Sequence, residues 1–254
     1  LRAVWDRVVD DYVTDLGDHV ERYQPQKEER RTLNEEIEYY RGLKVVEERS
    51  FARVSSSGLF EGIGKEFWEE AGRQAVERGD VVVRKGFREF VDRLRGRCTW
   101  GIVSVNFSDF FIQGVVGASA GSKLEDVEIV SNRLDGSGIL CWSESGLGRV
   151  MATSNDKLDA MKTLLTSWRE RWSSDTVGPV YIGDSGTDIE CLIEPGVMGV
   201  VLSEDGESSL IKTLRQTGVD IVPVGECGEN GSRGKTVYWA RDFDEMLQSP
   251  LLHP

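Results

Sequence analysis

Val180-Tyr181-Ile182-Gly183-Asp184-Ser185-Gly186-Thr187-Asp188 is a short apolar run that ends in a glycine turn and delivers two carboxylates four residues apart. An apolar run bounded in this way reads as a β-strand. In an open α/β sheet, ligands gather at the carboxyl ends of strands, where the following helix turns its first amides toward an anion. Asp184 and Asp188 are therefore candidate ligands for Mg²⁺. That cation takes one or two carboxylates, keeps several waters and is completed by substrate phosphate. The plainer reading of the same string is a strand-to-helix turn in which Asp188 caps the helix.

Working outward, β-rich runs recur at 98–105, 127–131, 177–182, 197–202, 220–224 and 236–240. Helical patterns fill the intervals at 85–94, 108–116, 156–172, 188–193 and 207–217, and Gly136-Ser137-Gly138 marks a turn. Such alternation predicts an α/β fold with a parallel or mixed sheet. Before Gly79 the texture is different. Trp5, Val8, Val9, Tyr12, Val13 and Leu16 recur at helical spacing, as do Leu33, Ile37, Tyr40 and Leu43. Pro25 separates these patterns, and Ser55-Ser56-Ser57-Gly58 predicts a turn before Leu59, so three or more helices are expected here. The reading divides the chain into a helical unit, residues 1–82, and an α/β core, residues 83–254.

Composition narrows the function. The formal charge of −13 repels nucleic acid and anionic lipid, so a phosphate-bearing ligand must be drawn in by a local site. No apolar stretch has the length a spanning helix requires. Cys98, Cys141, Cys191 and Cys227 are widely separated and form no C-x-x-C pair, which predicts reduced thiols and a cytoplasmic protein. The chain opens on Leu1 and runs at once into an amphipathic pattern, so it is expected to start inside a longer protein. Oligomeric state is not readable.

Two further segments carry chemistry. The strand Trp100-Gly101-Ile102-Val103 delivers Ser104, Val105 and Asn106 at its end, with Ser108 at the start of a helix. Hydroxyl and amide groups there can hold phosphate oxygens, although Ser and Asn are also common helix caps. Asn155-Asp156-Lys157 opens the long helix through Leu158, Met161, Leu164 and Trp168, and Lys157 is a candidate fixed charge against a phosphoryl group. A different chemistry is suggested by Gly117-Ala118-Ser119-Ala120-Gly121, which fits the G-x-S-x-G elbow of serine hydrolases. Its surroundings read as helix, and neither His19 nor His253 is well placed as its base.

A serine at a strand end, then a lysine at a helix start, then G-D-x-x-x-D after a strand resemble the second, third and fourth motifs of the haloacid dehalogenase superfamily. The string Ile129-Val130-Ser131-Asn132 is most similar to the phosphoserine-phosphatase-like branch and its fungal relatives. The resemblance covers about residues 85–202, and the helical first third is similar to the cap this branch inserts after its first strand. It implies a Rossmann-like core with a helical cap and Mg²⁺-dependent hydrolysis of a small-molecule phosphate ester through an aspartyl-phosphate. Ser104, Val105, Asn106 and Thr187 would meet phosphate or substrate, Lys157 would stabilise the phosphoryl group, Asp184 would bind Mg²⁺, and Asp188 would bind it or stand behind it. Thr187 stands where many relatives carry Asn. Cap residues such as Arg53, Glu61 and Trp68 are candidates for substrate choice.

The pattern departs from the family at its first motif. The Asp-x-Asp that should end a first core strand, and supply the nucleophile and the acid/base, does not precede the helical unit. Asp10-Asp11 lacks the spacing. Asp242-Phe243-Asp244 follows an apolar run, but Glu245 stands where Gly is usual, so Asp242 is expected to cap the last helix. The expectation is a phosphatase whose nucleophile segment lies outside these residues, with a non-catalytic binding protein of the same fold as the alternative.

Overall fold

The computed structural model describes residues 1–121, 127–138, 140–142, 149–171, 178–228 and 235–252. In chain order its elements are α1 Arg2–Arg22, α2 Leu33–Gly42, α3 Lys44–Ser56, α4 Lys65–Glu77, α5 Phe87–Leu94, β1 Gly101–Ser104, α6 Asp109–Ala120, β2 Glu128–Leu134 and β3 Leu140–Trp142. They continue with α7 Ser154–Arg171, β4 Val180–Gly183, α8 Ile189–Leu192, β5 Met198–Leu202, α9 Ser209–Gln216, β6 Asp220–Pro223, β7 Thr236–Ala240 and α10 Phe243–Gln248. The fold is α/β and its strands are mostly parallel. Each expected strand is present within a few residues of its predicted bounds. The predicted starts at Val177 and the predicted helix end at Trp172 lie outside the described residues.

Two compact units interleave along the chain, one made of Leu1–Gln26, Arg41–Val83 and Trp100–Asp156, the other of Lys27–Tyr40, Arg84–Thr99 and Lys157–Pro254. This grouping does not follow the sequence-based division at residue 83, because residues 100–156 group with the helical region and residues 27–40 with the strands of the second half.

The first unit holds a sheet of order β1-β2-β3. β1 and β2 run parallel, with Ser104 opposite Ser131, and β3 returns antiparallel to β2. β3 was not expected from sequence. It is three residues long, too short for alternation to show, and follows directly on the predicted turn at Gly136-Ser137-Gly138. Val8, Phe51, Val54, Leu134, Leu140 and Ala152 form a buried cluster here, with Phe60, Trp68 and Phe107 packed against it. α4 and α6 pack backbone to backbone. A Cβ placed on Gly72 would stand 2.2 Å from the Phe111 carbonyl oxygen, and one on Gly114 only 2.0 Å from that of Glu69. The expected turn at residues 55–58 starts later than predicted. α3 runs through Ser56, and the Ser56 and Ser57 hydroxyls donate to the Arg53 and Val54 carbonyls at the helix end.

The second unit is built on a fully parallel sheet of order β4-β5-β7-β6. Its central strand β5 presents Val200 and Val201 with no exposure, as a strand covered on both faces must. Ile189, Leu192, Val201, Leu210, Ile211, Leu214, Val219 and Val237 form the core, and Leu33, Ile37 and Tyr40 of the 27–40 segment pack against it. Within that segment Arg30 and Glu36 form a buried ion pair at 2.9 Å, with the guanidinium over the Tyr39 ring at 4.2 Å, and Gln216 ties the segment down by donating to the Arg30 carbonyl at 2.6 Å.

Replacing either Gly72 or Gly114 by Ala must push α4 from α6, because the obstructing atoms are backbone. Each change is expected to cost about 1–3 kcal/mol in urea unfolding. Unchanged midpoints would show that the two helices do not approach this closely.

Candidate functional site

The site is best described from the carboxyl end of β4. The chain leaves the strand at Gly183, turns through Asp184 and Ser185, and enters a 3-10 turn at Gly186–Asp188 that leads into α8. Asp188 closes this loop from inside. One carboxylate oxygen, Oδ2, accepts from the Asp184 amide at 3.2 Å, the Ser185 amide at 3.0 Å and the Ser185 hydroxyl at 2.8 Å. The other, Oδ1, accepts from Lys157 Nζ at 2.7 Å and from the Tyr181 hydroxyl at 2.6 Å. The carboxylate is only 3% exposed. Burial alone would raise its pKa, but Lys157 and these donors outweigh burial and hold it below the ordinary carboxylate range. Burial, and then the Asp188 charge, drive the Tyr181 phenol well above its ordinary pKa, so it stays a donor.

Two glycines make this loop possible. A Cβ on Gly183 would stand 2.6 Å from Asp188 Cγ, and one on Gly186 would stand 2.2 Å from the Tyr40 ring. The first close approach lets a buried carboxylate reach back to the strand end. The second lets Tyr40, from the 27–40 segment of the same unit, lie edge-on against the loop.

Asp184 behaves differently from Asp188. It is exposed, and no described side chain or amide binds its carboxylate. Thr187 sits between them in sequence and shares a 2.8 Å hydrogen bond with the Ser185 hydroxyl. Among the described residues no group of three or more His, Cys, Asp or Glu side chains is placed to hold a metal. Five protein donors occupy Asp188, whereas the Asp184 carboxylate is exposed. One carboxylate does not make a metal site, and Mg²⁺ would fit here only with a further carboxylate and with phosphate oxygens.

The first unit carries the other predicted contacts. Ser104 ends β1, and its hydroxyl accepts the Asn106 amide at 3.2 Å. The Asn106 side-chain oxygen accepts the Ser108 amide at 3.1 Å, and Ser108 caps α6 by accepting the Phe111 amide at 3.1 Å. The cap reading of Ser108 is thus what the structure shows, while Asn106 is exposed. The Val105 carbonyl accepts from the buried side chain of Asn132 at 3.2 Å. Asn132 also donates to the Met151 carbonyl at 2.9 Å and accepts the Met151 amide at 2.7 Å.

Asp156, in the first turn of α7, is 1% exposed. It accepts from the Ala152 amide at 3.1 Å and from the Thr153 amide and hydroxyl at 3.0 and 2.9 Å, and pairs with Lys44 Nζ at 3.3 Å. Burial pushes its pKa up, but the Ala152 amide, the Thr153 hydroxyl and the Lys44 charge bring it below the ordinary value.

Ser104, Val105 and Asn106 therefore belong to the first unit, and Lys157, Asp184, Thr187 and Asp188 to the second. Lys157, Asp184 and Asp188 are brought together through one loop. The competing motifs are placed otherwise. Residues 117–121 form the last turn of α6 and its end, where Ser119 donates to the Val115 carbonyl at 2.8 Å, so no strand-to-helix elbow exists there. His19 lies in α1, and His253 lies outside the described residues. Asp242 caps α10 by accepting the Glu245 amide at 3.0 Å, and Asp244 pairs with Lys85 at 2.8 Å.

The chain is similar to Cold tolerance protein 1 of Saccharomyces cerevisiae. It is 25% identical to it over 187 residues, which cover 70% of this chain and 57% of that protein. It thus spans little more than half of that relative's length. No family model and no solved structure matches the chain. No helix among the described residues is long and apolar enough to cross a membrane.

Sequence reasoning missed Tyr181, Asn132 and Asp156 as members of these arrangements. Thr153-x-x-Asp156 has capping-box spacing and could have revealed the last. Because the folded pKa of Asp156 lies below the ordinary 3.8, its stabilisation is present above that pH and is lost as pH falls through the folded value. Asp156→Asn is expected to cost about 1–3 kcal/mol at pH 7 and to shrink that loss on acidification. Parallel stability curves for the two proteins from pH 7 to pH 2 would contradict this.

Proposed function

We propose that this chain is the binding and charge-stabilising part of a haloacid dehalogenase-like phosphatase, acting on a small-molecule phosphate ester in the cytoplasm. One observation carries the reading. A lysine is held by a buried carboxylate at the carboxyl end of a parallel strand, with a second, uncommitted carboxylate on the same loop.

In this reading Lys157 meets the non-bridging phosphoryl oxygens with the N–H donors that Asp188 does not use. Asp188 fixes the ammonium in place, so no reorganisation is needed as charge moves on phosphorus. Thr187 contacts the same phosphoryl group or its ester, and Ser104, the amide of Val105 and Asn106 are phosphate contacts offered by the first unit. Asp184 would hold Mg²⁺, which when bound supplies further charge neutralisation. The reaction itself needs a carboxylate to attack phosphorus and a second to activate water against the resulting acyl phosphate. The Asp-x-Asp that follows β7 is otherwise engaged, Asp242 capping α10 and Asp244 pairing with Lys85. No residue of this chain is therefore assigned as the nucleophile. The helical region as cap, the Rossmann-like core and the choice of substrate by the cap belong to the same proposal.

A natural full-length protein of this kind should release phosphate from p-nitrophenyl phosphate only with Mg²⁺ present. Lys157→Ala and Asp184→Asn should each lower kcat by about 10²–10³-fold. A folded full-length protein with no Mg²⁺-dependent release would point to the non-catalytic alternative, and an active one indifferent to both changes would refute the assignment.

A further inference from the structure

Asn132 is a fully buried polar side chain of the first unit. It has no exposure, and its amide group makes three hydrogen bonds to backbone on two separate segments. One partner is the Val105 carbonyl, in the loop that carries Ser104 and Asn106. The others are the carbonyl and amide of Met151, in the stretch that leads into α7. Met151 is itself fully buried, and five residues later Asp156 accepts the amides of Ala152 and Thr153. The stretch is therefore fixed at both ends.

An ordinary buried position in a strand takes an apolar side chain, because an amide there costs free energy unless it is paired. Here it is paired with backbone groups that no ladder serves. β1 ends at Ser104 and β2 pairs with it only as far as Ser131, so the Val105 carbonyl lies one residue beyond the last parallel bridge. Asn132 continues the connection by side chain where the sheet stops providing it by backbone.

We infer that Asn132 is a positioning residue for phosphate binding, acting through the Val105 carbonyl and the Met151 backbone to hold the Ser104–Asn106 loop in place. This rests on the phosphatase reading and goes beyond it, since Asn132 touches no substrate. Ser104 is held by its pairing with Ser131, and Phe107 packs against the buried cluster, so Val105 and Asn106 span two anchored residues. The Ser104 and Asn106 side chains accept only amides two residues on, and the Asn132 bond to Val105 is the tie that reaches this span from β2. A carbonyl that is fixed also fixes the plane of the next peptide, and with it the Asn106 amide.

The test uses natural full-length protein. Asn132→Asp keeps an oxygen for the Met151 amide but removes the two N–H bonds to Val105 and Met151. It should raise both KM for p-nitrophenyl phosphate and Ki for inorganic phosphate by about tenfold, with kcat within about threefold. A purely structural role would lower Tm and leave these constants alone, and that result in a folded variant overturns the inference. Asn132→Ser gives a second, uncharged variant with the same expectation. Should neither fold, phosphate titration of the wild type by NMR decides. The Asn132 side-chain amide and the Met151 amide should shift with the same Kd as the Asn106 amide, whereas stationary signals would overturn the proposal. Wild type that neither hydrolyses the ester nor binds phosphate would remove the phosphatase reading itself, a failure distinct from an indifferent Asn132 in an active protein.

Discussion

A carboxylate buried without partners is expensive, and Asp188 exists in its place only because five donors converge on it. That single constraint shapes the loop around it. Gly183 must lack a side chain so that Asp188 can reach the strand end, Ser185 must turn both amide and hydroxyl inward, and Tyr181 must stay protonated on the strand. Lys157 completes the set and is thereby immobilised. Replacing any one donor leaves the others with a charge less well satisfied, so the loop acts as a unit.

The first unit solves a related problem with one amide and one carboxylate. Asn132 and Asp156 are both buried, and both satisfy backbone amides or carbonyls that neither helix nor sheet can serve. Asp156 lies in the first turn of α7, and Asn132 lies in β2 one residue past its last pairing with β1. Polar side chains placed at such points hold irregular backbone in one conformation, and irregular backbone is where ligand contacts are made. The apolar clusters of the two units do the bulk of the stabilising, while these few polar residues decide the shape of the loops.

Much of this was legible before the structure. The alternation of β-rich and helical runs after Gly79 located six strands because each is short, apolar and bounded by turn residues, and periodicity reports that well. The strand β3 was missed because three residues give no period. Asp188 was read as a ligand or as a residue behind one, and only the coordinates show five donors on it, since Tyr181 and Lys157 come from separate elements. Asn132 sits in a β-rich string where nothing local distinguishes a paired amide from a solvated one. The grouping of residues 100–156 with the helical region was likewise invisible. It depends on long-range packing such as Gly72 against Phe111, and two isolated glycines in helical patterns announce nothing by themselves.

The central proposal is that Lys157 and Asp184 address a phosphoryl group. The most direct measurement is a crystal structure of the chain grown with Mg²⁺ and tungstate as a phosphate mimic. The proposal predicts the anion within hydrogen-bond reach of Lys157 Nζ, with Asp188 still paired to the lysine. Tungstate bound elsewhere, with Lys157 engaged by Asp188 alone, would contradict it.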